Sequence, residues 1–110
     1  MKRPRAYSPY ATEATQLLGE QIRSARRGRR WSQRELAERA GITPGTLIKI
    51  ERGDPSVRLG TAFEAASLVG VPLFHADRSR LTLDLDRTRA RSALLAERVR
   101  PRKEELKDEF

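Results

Sequence analysis

One histidine, no cysteine and an uneven spread of basic residues bound the chemistry open to this chain. His75 stands alone, so no Ser-His-Asp relay or histidine-containing metal cluster can be assembled within one chain. It reads instead as a surface or half-buried residue. Asp84 and Asp86, and farther on Glu104, Glu105, Asp108 and Glu109, show no spacing that argues for an acid/base pair or a metal. Glycine-rich phosphate loops are absent. The expectation is a protein without catalytic residues, cofactor, metal or small-molecule ligand. Charge says more. Residues 1–53 carry 12 Lys/Arg against 5 Asp/Glu, whereas residues 54–110 are nearly balanced at 11 against 10. A basic half of this kind suits a polyanion, because each neutralised phosphate releases condensed counterions. A solvated basic face that merely aids solubility is the alternative reading.

The elements that would position such a surface can be followed along the chain. Residues 1–10 hold two prolines and no apolar periodicity, and residues 1–12 read as a flexible basic arm. Leu18, Ile22 and Ala25 recur at helical spacing, with Arg23, Arg27 and Arg30 off that stripe, and Gly28 ends or frays this first helix. Ser32-Gln33-Arg34-Glu35 is a capping box that opens a second helix, with Trp31 stapling onto Leu36. Leu36, Ala37 and Ala40 form its buried face, and Gly41 supplies a turn. Thr43 then caps a third helix whose first position is Pro44, where the missing N–H costs nothing. Leu47 and Ile50 face inward, and Gly53-Asp54-Pro55 stops the helix. A fourth helix over about 59–69 buries Leu59, Ala62, Phe63, Ala66 and Val69. Gly70-Val71-Pro72 breaks it, and a short fifth helix with Leu73 and Phe74 inward is expected next.

Beyond this the pattern changes. Leu81, Leu83 and Leu85 alternate with Thr82, Asp84 and Asp86, which suggests a short strand that pairs with its copy in a second subunit. An extended connector fits the same residues. Residues 87–99 suit a helix bearing Ala90, Leu94 and Val99. The division expected is therefore arm 1–12, a globular domain 13–78, a dimerisation or partner extension 79–99, and a flexible tail 100–110. With 110 residues, 37% hydrophobic and 35% charged, the chain suits one domain with a modest core. No apolar run approaches the length of a bilayer span. The basic N-terminus is followed by no apolar stretch, so it is not a secretory signal. The absence of cysteine is compatible with the cytoplasm, and a nucleoid-associated cytoplasmic protein is expected.

The stretch Trp31 to Asp54 carries most of the functional content. Two short helices meet at a tight glycine turn, small Ala37 allows a close crossing, and the first turn of the second helix projects outward, as a helix entering the major groove must. Geometry alone also permits an αα-hairpin with no nucleic-acid role. The residues resemble the helix-turn-helix of XRE and Cro/cI-type repressors over about Leu17 to Asp77, through the pattern S-Q-x-E-L-A-x-x-A-G-I-T-x-x-T-[LI]-x-x-[LI]-E-x-G. That resemblance implies an all-α, five-helix, lambda-repressor-like domain whose third helix reads double-stranded DNA, here with a short C-terminal strand/helix extension. It implies a phosphate contact for Gln33 at a helix N-terminus and another phosphate-facing position for Thr43. Pro44, Gly45, Thr46 and Lys49 take the groove-facing positions. Arg26 and Glu51 match a buried pair that locks helix 1 to helix 3.

One departure matters. Pro44 and Gly45 have no side-chain donor or acceptor where such proteins often carry Gln, Asn, Arg or Ser. Direct readout then rests on Thr46, Lys49 and the Thr43 hydroxyl, aided by DNA deformability, with strong salt dependence. Arg52 and Arg58, flanking the loop after the third helix, are candidates for further phosphate contacts and equally fit ordinary surface arginines. An RNA reader is disfavoured because no aromatic stacking platform is available. The run Glu51 to Thr61 resembles HipB-type antitoxins, and the tail Arg98 to Phe110 resembles the basic-then-acidic ends of antitoxins encoded beside HipA-type kinases. This likeness implies a homodimer on a palindromic operator, with third helices about 34 Å apart, and a HipA-type serine/threonine kinase partner contacted by a tail ending in Phe110. A stand-alone or phage-type repressor without a toxin, and an interaction module that has lost DNA binding, are the competing readings.

Overall fold

The computed structural model describes residues 6–108, with side chains through Val99. Its regular elements are helices: α1 (Pro9–Gly28), α2 (Gln33–Ala40), α3 (Pro44–Glu51), α4 (Leu59–Leu68) and α5 (Arg78–Asp108). The chain divides into two compact units between Leu73 and Phe74.

In the first unit the helix boundaries follow local chemistry. Ser8 caps α1 by accepting from the Ala11 N–H at 3.2 Å, and Pro9 occupies the first turn. The helix thus begins inside the stretch read from sequence as an arm. Its end lies at Gly28, but the left-handed position belongs to Arg30, at φ 59°. Ser32 and Glu35 form the expected reciprocal cap of α2, and Gly41 closes that helix at φ 70°. Thr43 caps α3, and Gly53 follows its end at φ 77°.

α2 packs on α3 and α4, and α1 on the same two helices. Ile22, Leu36, Ala37, Leu47, Ile50, Ala65 and Ala66 make the centre of the core. Burial of Ile22, Leu36 and Leu47 contributes about 1.5–3 kcal/mol each. On α4 the buried face is Ala62, Ala65 and Ala66, continued by Val69, while Phe63 is half-buried. Leu59, expected inside, is 67% exposed because it starts the helix before the core-facing turn. The short helix expected around Leu73 and Phe74 does not form. Residues 71–77 are non-helical, and Phe74 is left-handed at φ 69°. Pro72 removes a helical donor, and the left-handed Phe74 cannot continue a right-handed turn.

The second unit corrects the strand. Leu81, Leu83 and Leu85 lie within α5, a helix of 31 residues. A lone strand leaves its donors and acceptors unpaired, whereas a helix satisfies them internally, and the Leu-, Arg- and Ala-rich sequence favours the helix. Asp77 begins it, accepting from the Ser79 N–H at 3.0 Å and the Ser79 hydroxyl at 2.7 Å. The Ser79 hydroxyl and N–H bonds hold the Asp77 carboxyl below its ordinary pKa. His75, half-buried, bonds Asp84 through Nε2. The backbone stays helical to Asp108, through most of the segment expected to be a flexible tail, and Phe110 lies outside the described residues.

Candidate nucleic-acid interface

The surface begins with a clamp behind it. Arg26 on α1 and Glu51 at the end of α3 are the buried charged residues of the described chain. Arg26 Nε donates to Glu51 Oε2 at 2.7 Å and Nη2 to Oε1 at 3.0 Å. Its Nη1 donates to the Trp31 carbonyl at 2.8 Å, so one guanidinium ties α1, the α1–α2 turn and α3 together. Burial by itself pushes the Glu51 carboxyl up. Hydrogen bonds from Arg26 and Gln33, with the charges of Arg26 and Arg23, outweigh burial and hold it below the ordinary glutamate value.

Two glycines allow α1 and α3 to approach this closely. A Cβ on Gly19 would sit 2.5 Å from the Ile50 carbonyl oxygen and 2.7 Å from that of Glu51. A Cβ on Gly53 would meet the Gln16 backbone at 2.5 Å. The Thr15 hydroxyl lies 2.8 Å from the Gly53 carbonyl oxygen, to which it donates. The C-terminal end of α3 is therefore pinned to α1 by backbone contact as well as by charge.

The opposite end of α3 is open. Thr43, Pro44, Gly45 and Lys49 are exposed, and Thr46 is half-buried. Thr43 Oγ1 accepts from the Thr46 N–H at 3.1 Å, and the two hydroxyls share a hydrogen bond at 2.9 Å. If Thr43 donates across that pair, the Thr46 proton is left pointing away for another acceptor. A Cβ on Gly45 would meet only Thr43 Oγ1, at 3.9 Å. Thr43, Thr46, Lys49 and Arg58 line one groove with Ile42 and Val57. Pro44 instead borders a depression with Arg34 and Glu38. Arg52 is exposed beyond α3 and does not line the groove. Arg58 is placed by the α3–α4 loop, where Asp54 accepts from the Ser56 N–H at 2.8 Å and hydroxyl at 2.7 Å. The Ser56 hydroxyl and N–H bonds, assisted by Lys49, lower the Asp54 pKa.

Gln33 occupies a different position from a free phosphate ligand. It is half-buried, and Nε2 donates to Glu51 Oε1 at 3.1 Å. The amide has a second N–H and a carbonyl oxygen besides. Trp31 is half-buried against the core, with the Arg39 guanidinium 4.1 Å from the ring centroid and that of Arg29 at 5.3 Å. That leaves it a packing residue rather than a base-stacking platform. The residues that sequence reasoning passed over are Gly19, Thr15, Gly53 as a contact residue, and Arg23, whose Nε is 3.7 Å from Glu51 Oε1. A glycine in mid-helix was the one available signal, since it marks close backbone approach.

Residues 22–75 match the helix-turn-helix family. The match spans the last third of α1, the two short helices with their glycine turn, and α4. Within that match, α2, the Gly41 turn and α3 form a helix-turn-helix. A relative named as an uncharacterised HTH-type transcriptional regulator of Sinorhizobium fredii is 38% identical over 52 residues, covering 47% of this chain. The chain spans about a quarter of that relative's length, at 26%. No solved structure matches the chain. Among the described residues, no cluster of His, Cys, Asp and Glu could hold a metal beside the helix-turn-helix, and no helix is long and apolar enough to cross a membrane.

Proposed function

We propose that the chain is a DNA-binding transcription regulator that lays the first turn of α3 in the major groove. The observation that carries this reading is the grouping of Thr43, Thr46, Lys49 and Arg58 around one groove at the open end of a helix-turn-helix. Thr46 and Lys49 read base edges, the α2 N-terminus with Gln33 holds a phosphate, and Arg52 and Arg58 add backbone contacts. The Glu51 bond presets the Gln33 amide for its phosphate. Pro44 and Gly45 contribute shape and close backbone approach only. The regulator acts in the cytoplasm as a homodimer on a palindromic site and represses transcription.

The test begins with genomic fragments retained by the purified protein, followed by affinity measurements on a selected site and on random DNA. Thr46→Ala with Lys49→Ala loses discrimination by about 1–3 kcal/mol per base-reading contact, whereas Gln33→Ala weakens binding to both DNAs alike. Unchanged operator binding in both variants would refute the placement of α3, and would favour an interaction module that uses the basic face for an acidic protein. A finer reading makes the regulator a HipB-type antitoxin that neutralises a HipA-type kinase and autoregulates its operon. The support is the likeness of residues 51–61 and 98–110 to such antitoxins. A tagged pull-down from the native host decides it: a stoichiometric kinase-sized chain supports the antitoxin, and recovery of this chain alone supports a stand-alone repressor.

A further inference from the structure

The helix-turn-helix leaves α5 without a role. Leu85, Leu95 and Val99 on this helix are 46%, 52% and 49% exposed, although they are large and apolar. They belong to a regular series. Leu81, Leu85, Thr88, Ser92, Leu95 and Val99 follow one another at alternating steps of four and three residues, the repeat of a two-stranded seam. We propose that α5 pairs with α5 of a second copy of this chain as a parallel two-stranded coiled coil along that seam.

The composition of the seam supports a second copy as the occupant. In register, leucine meets leucine and valine meets valine at both ends, and the hydroxyls of Thr88 and Ser92 meet their own kind between them. Such a central polar layer weakens a seam but fixes its register, because any slip sets hydroxyls against leucines. Charge selects the direction. In a parallel pair Asp84 of one copy stands beside Arg89 of the other, twice by symmetry, at the positions that flank a seam. In an antiparallel pair with the same apolar matches, Arg89 and Arg91 of both copies crowd the centre. The His75 bond uses Asp84 Oδ2 and leaves Oδ1 for an arginine. Leu83 and Leu94 are also exposed, at 47% and 63%, but lie off this seam and serve as internal controls.

The pairing replaces the strand expected at residues 81–85 with a helical interface that retains Leu81 and Leu85 and leaves out Leu83. It deepens the homodimer reading above. A parallel coil brings the N-termini of both α5 helices to one end. Assembly is measured without DNA, so its failure is distinguishable from failure of operator binding.

The experiment is sedimentation equilibrium of the full chain across a concentration series, with Leu85→Lys, Leu95→Lys, Leu94→Lys and Leu81→Cys variants. The expected result is a dimer whose dissociation constant rises at least about tenfold, near 1.4 kcal/mol, in Leu85→Lys and Leu95→Lys, and is unchanged in Leu94→Lys. Because the chain has no cysteine of its own, Leu81→Cys reports direction cleanly. It forms a covalent dimer on mild oxidation only if the two Leu81 positions face each other. A monomer at all concentrations overturns the proposal, as does a dimer indifferent to Leu85→Lys and Leu95→Lys. A dimer that Leu81→Cys fails to cross-link overturns the parallel arrangement.

Discussion

Replacing Glu51 by glutamine keeps the shape of the side chain and removes its charge, so it isolates what the buried pair contributes. In the native protein the Glu51 side chain is fully buried and that of Arg26 is 8% exposed, with contacts at 2.7 and 3.0 Å. Glu51→Gln leaves the guanidinium buried against a neutral amide that can accept through one oxygen only. Breaking one member of such a pair costs about 3–5 kcal/mol, a third or more of the roughly 5–15 kcal/mol that holds a domain folded. Arg26→Met has a comparable cost, because the carboxylate then keeps only Gln33 and the more distant Arg23, and the Trp31 carbonyl loses its donor. The double variant Arg26→Met/Glu51→Leu removes both charges and loses far less than the sum of the singles, since apolar replacements of a buried pair are often neutral. Urea unfolding followed through Trp31, the sole tryptophan, measures all three. Single variants that each lose less than about 1 kcal/mol, or a double variant as weak as the sum, would refute the reasoning that α1 and α3 are locked by a desolvated ion pair.

Gly19→Ala drives a Cβ into the Ile50 and Glu51 carbonyl oxygens and should cost about 1–3 kcal/mol, while Gly28→Ala, with open space around it, should lose nothing in the same melts. Arg30→Gly relieves a left-handed backbone whose strain is about 1–2 kcal/mol and should raise the thermal midpoint, with no rise counting against a strained turn. The lowered Glu51 pKa predicts acid sensitivity. Its stabilisation is complete above the ordinary glutamate range and is lost as pH falls through the lower folded value, so pH-dependent unfolding should flatten there in Glu51→Gln. Lys49→Ala should lower the salt slope of binding to random DNA by about 1 if Lys49 also meets a phosphate, and leave it unchanged if it meets bases alone.

What could be read from the sequence was local. The Ser32–Glu35 box, the Thr43 cap with Pro44, and the Gly41 turn depend on residues three or four apart, and each stands where spacing placed it. The Arg26–Glu51 pair, 25 residues apart, came only from resemblance, because nothing local links those side chains. Leu81 to Leu85 misled for a related reason. Three leucines at alternate positions satisfy a period of two, yet Leu81 and Leu85 also satisfy a helical step of four, and three residues cannot separate the two periods. The start of α1 was missed through its cap, because Ser8 lies within a proline-bearing stretch that resembles an arm; its end at Gly28 was legible, although the left-handed turn that follows uses Arg30 where a glycine would be the expected choice. The Gln33–Glu51 bond was illegible, since it needs α2 and α3 already crossed.

The two ends of α3 are built on opposite principles, and the contrast bears on how such a protein can discriminate among sites. At its C-terminal end every device is an over-constraint: two carbonyls against Gly19, a threonine on the Gly53 carbonyl, and a carboxylate held by Arg26, Gln33 and Arg23. Changes there are read as stability. At its N-terminal end the side-chain bonds among the described residues join Thr43 to Thr46, and a Cβ on Gly45 would meet nothing nearer than Thr43 Oγ1 at 3.9 Å. Substitutions there touch little else, so they should have small effects on folding and, on the proposed role, alter recognition instead. Gln33 belongs to both regions. Its amide donates to Glu51 from within the clamp and keeps a second N–H, so in the proposed complex a phosphate bonded there would be registered against the same carboxylate that ties α3 to α1. On the proposed DNA-binding role, the orientation of α3 would be set through the fold, and the identity of the bases would be left to Thr46 and Lys49.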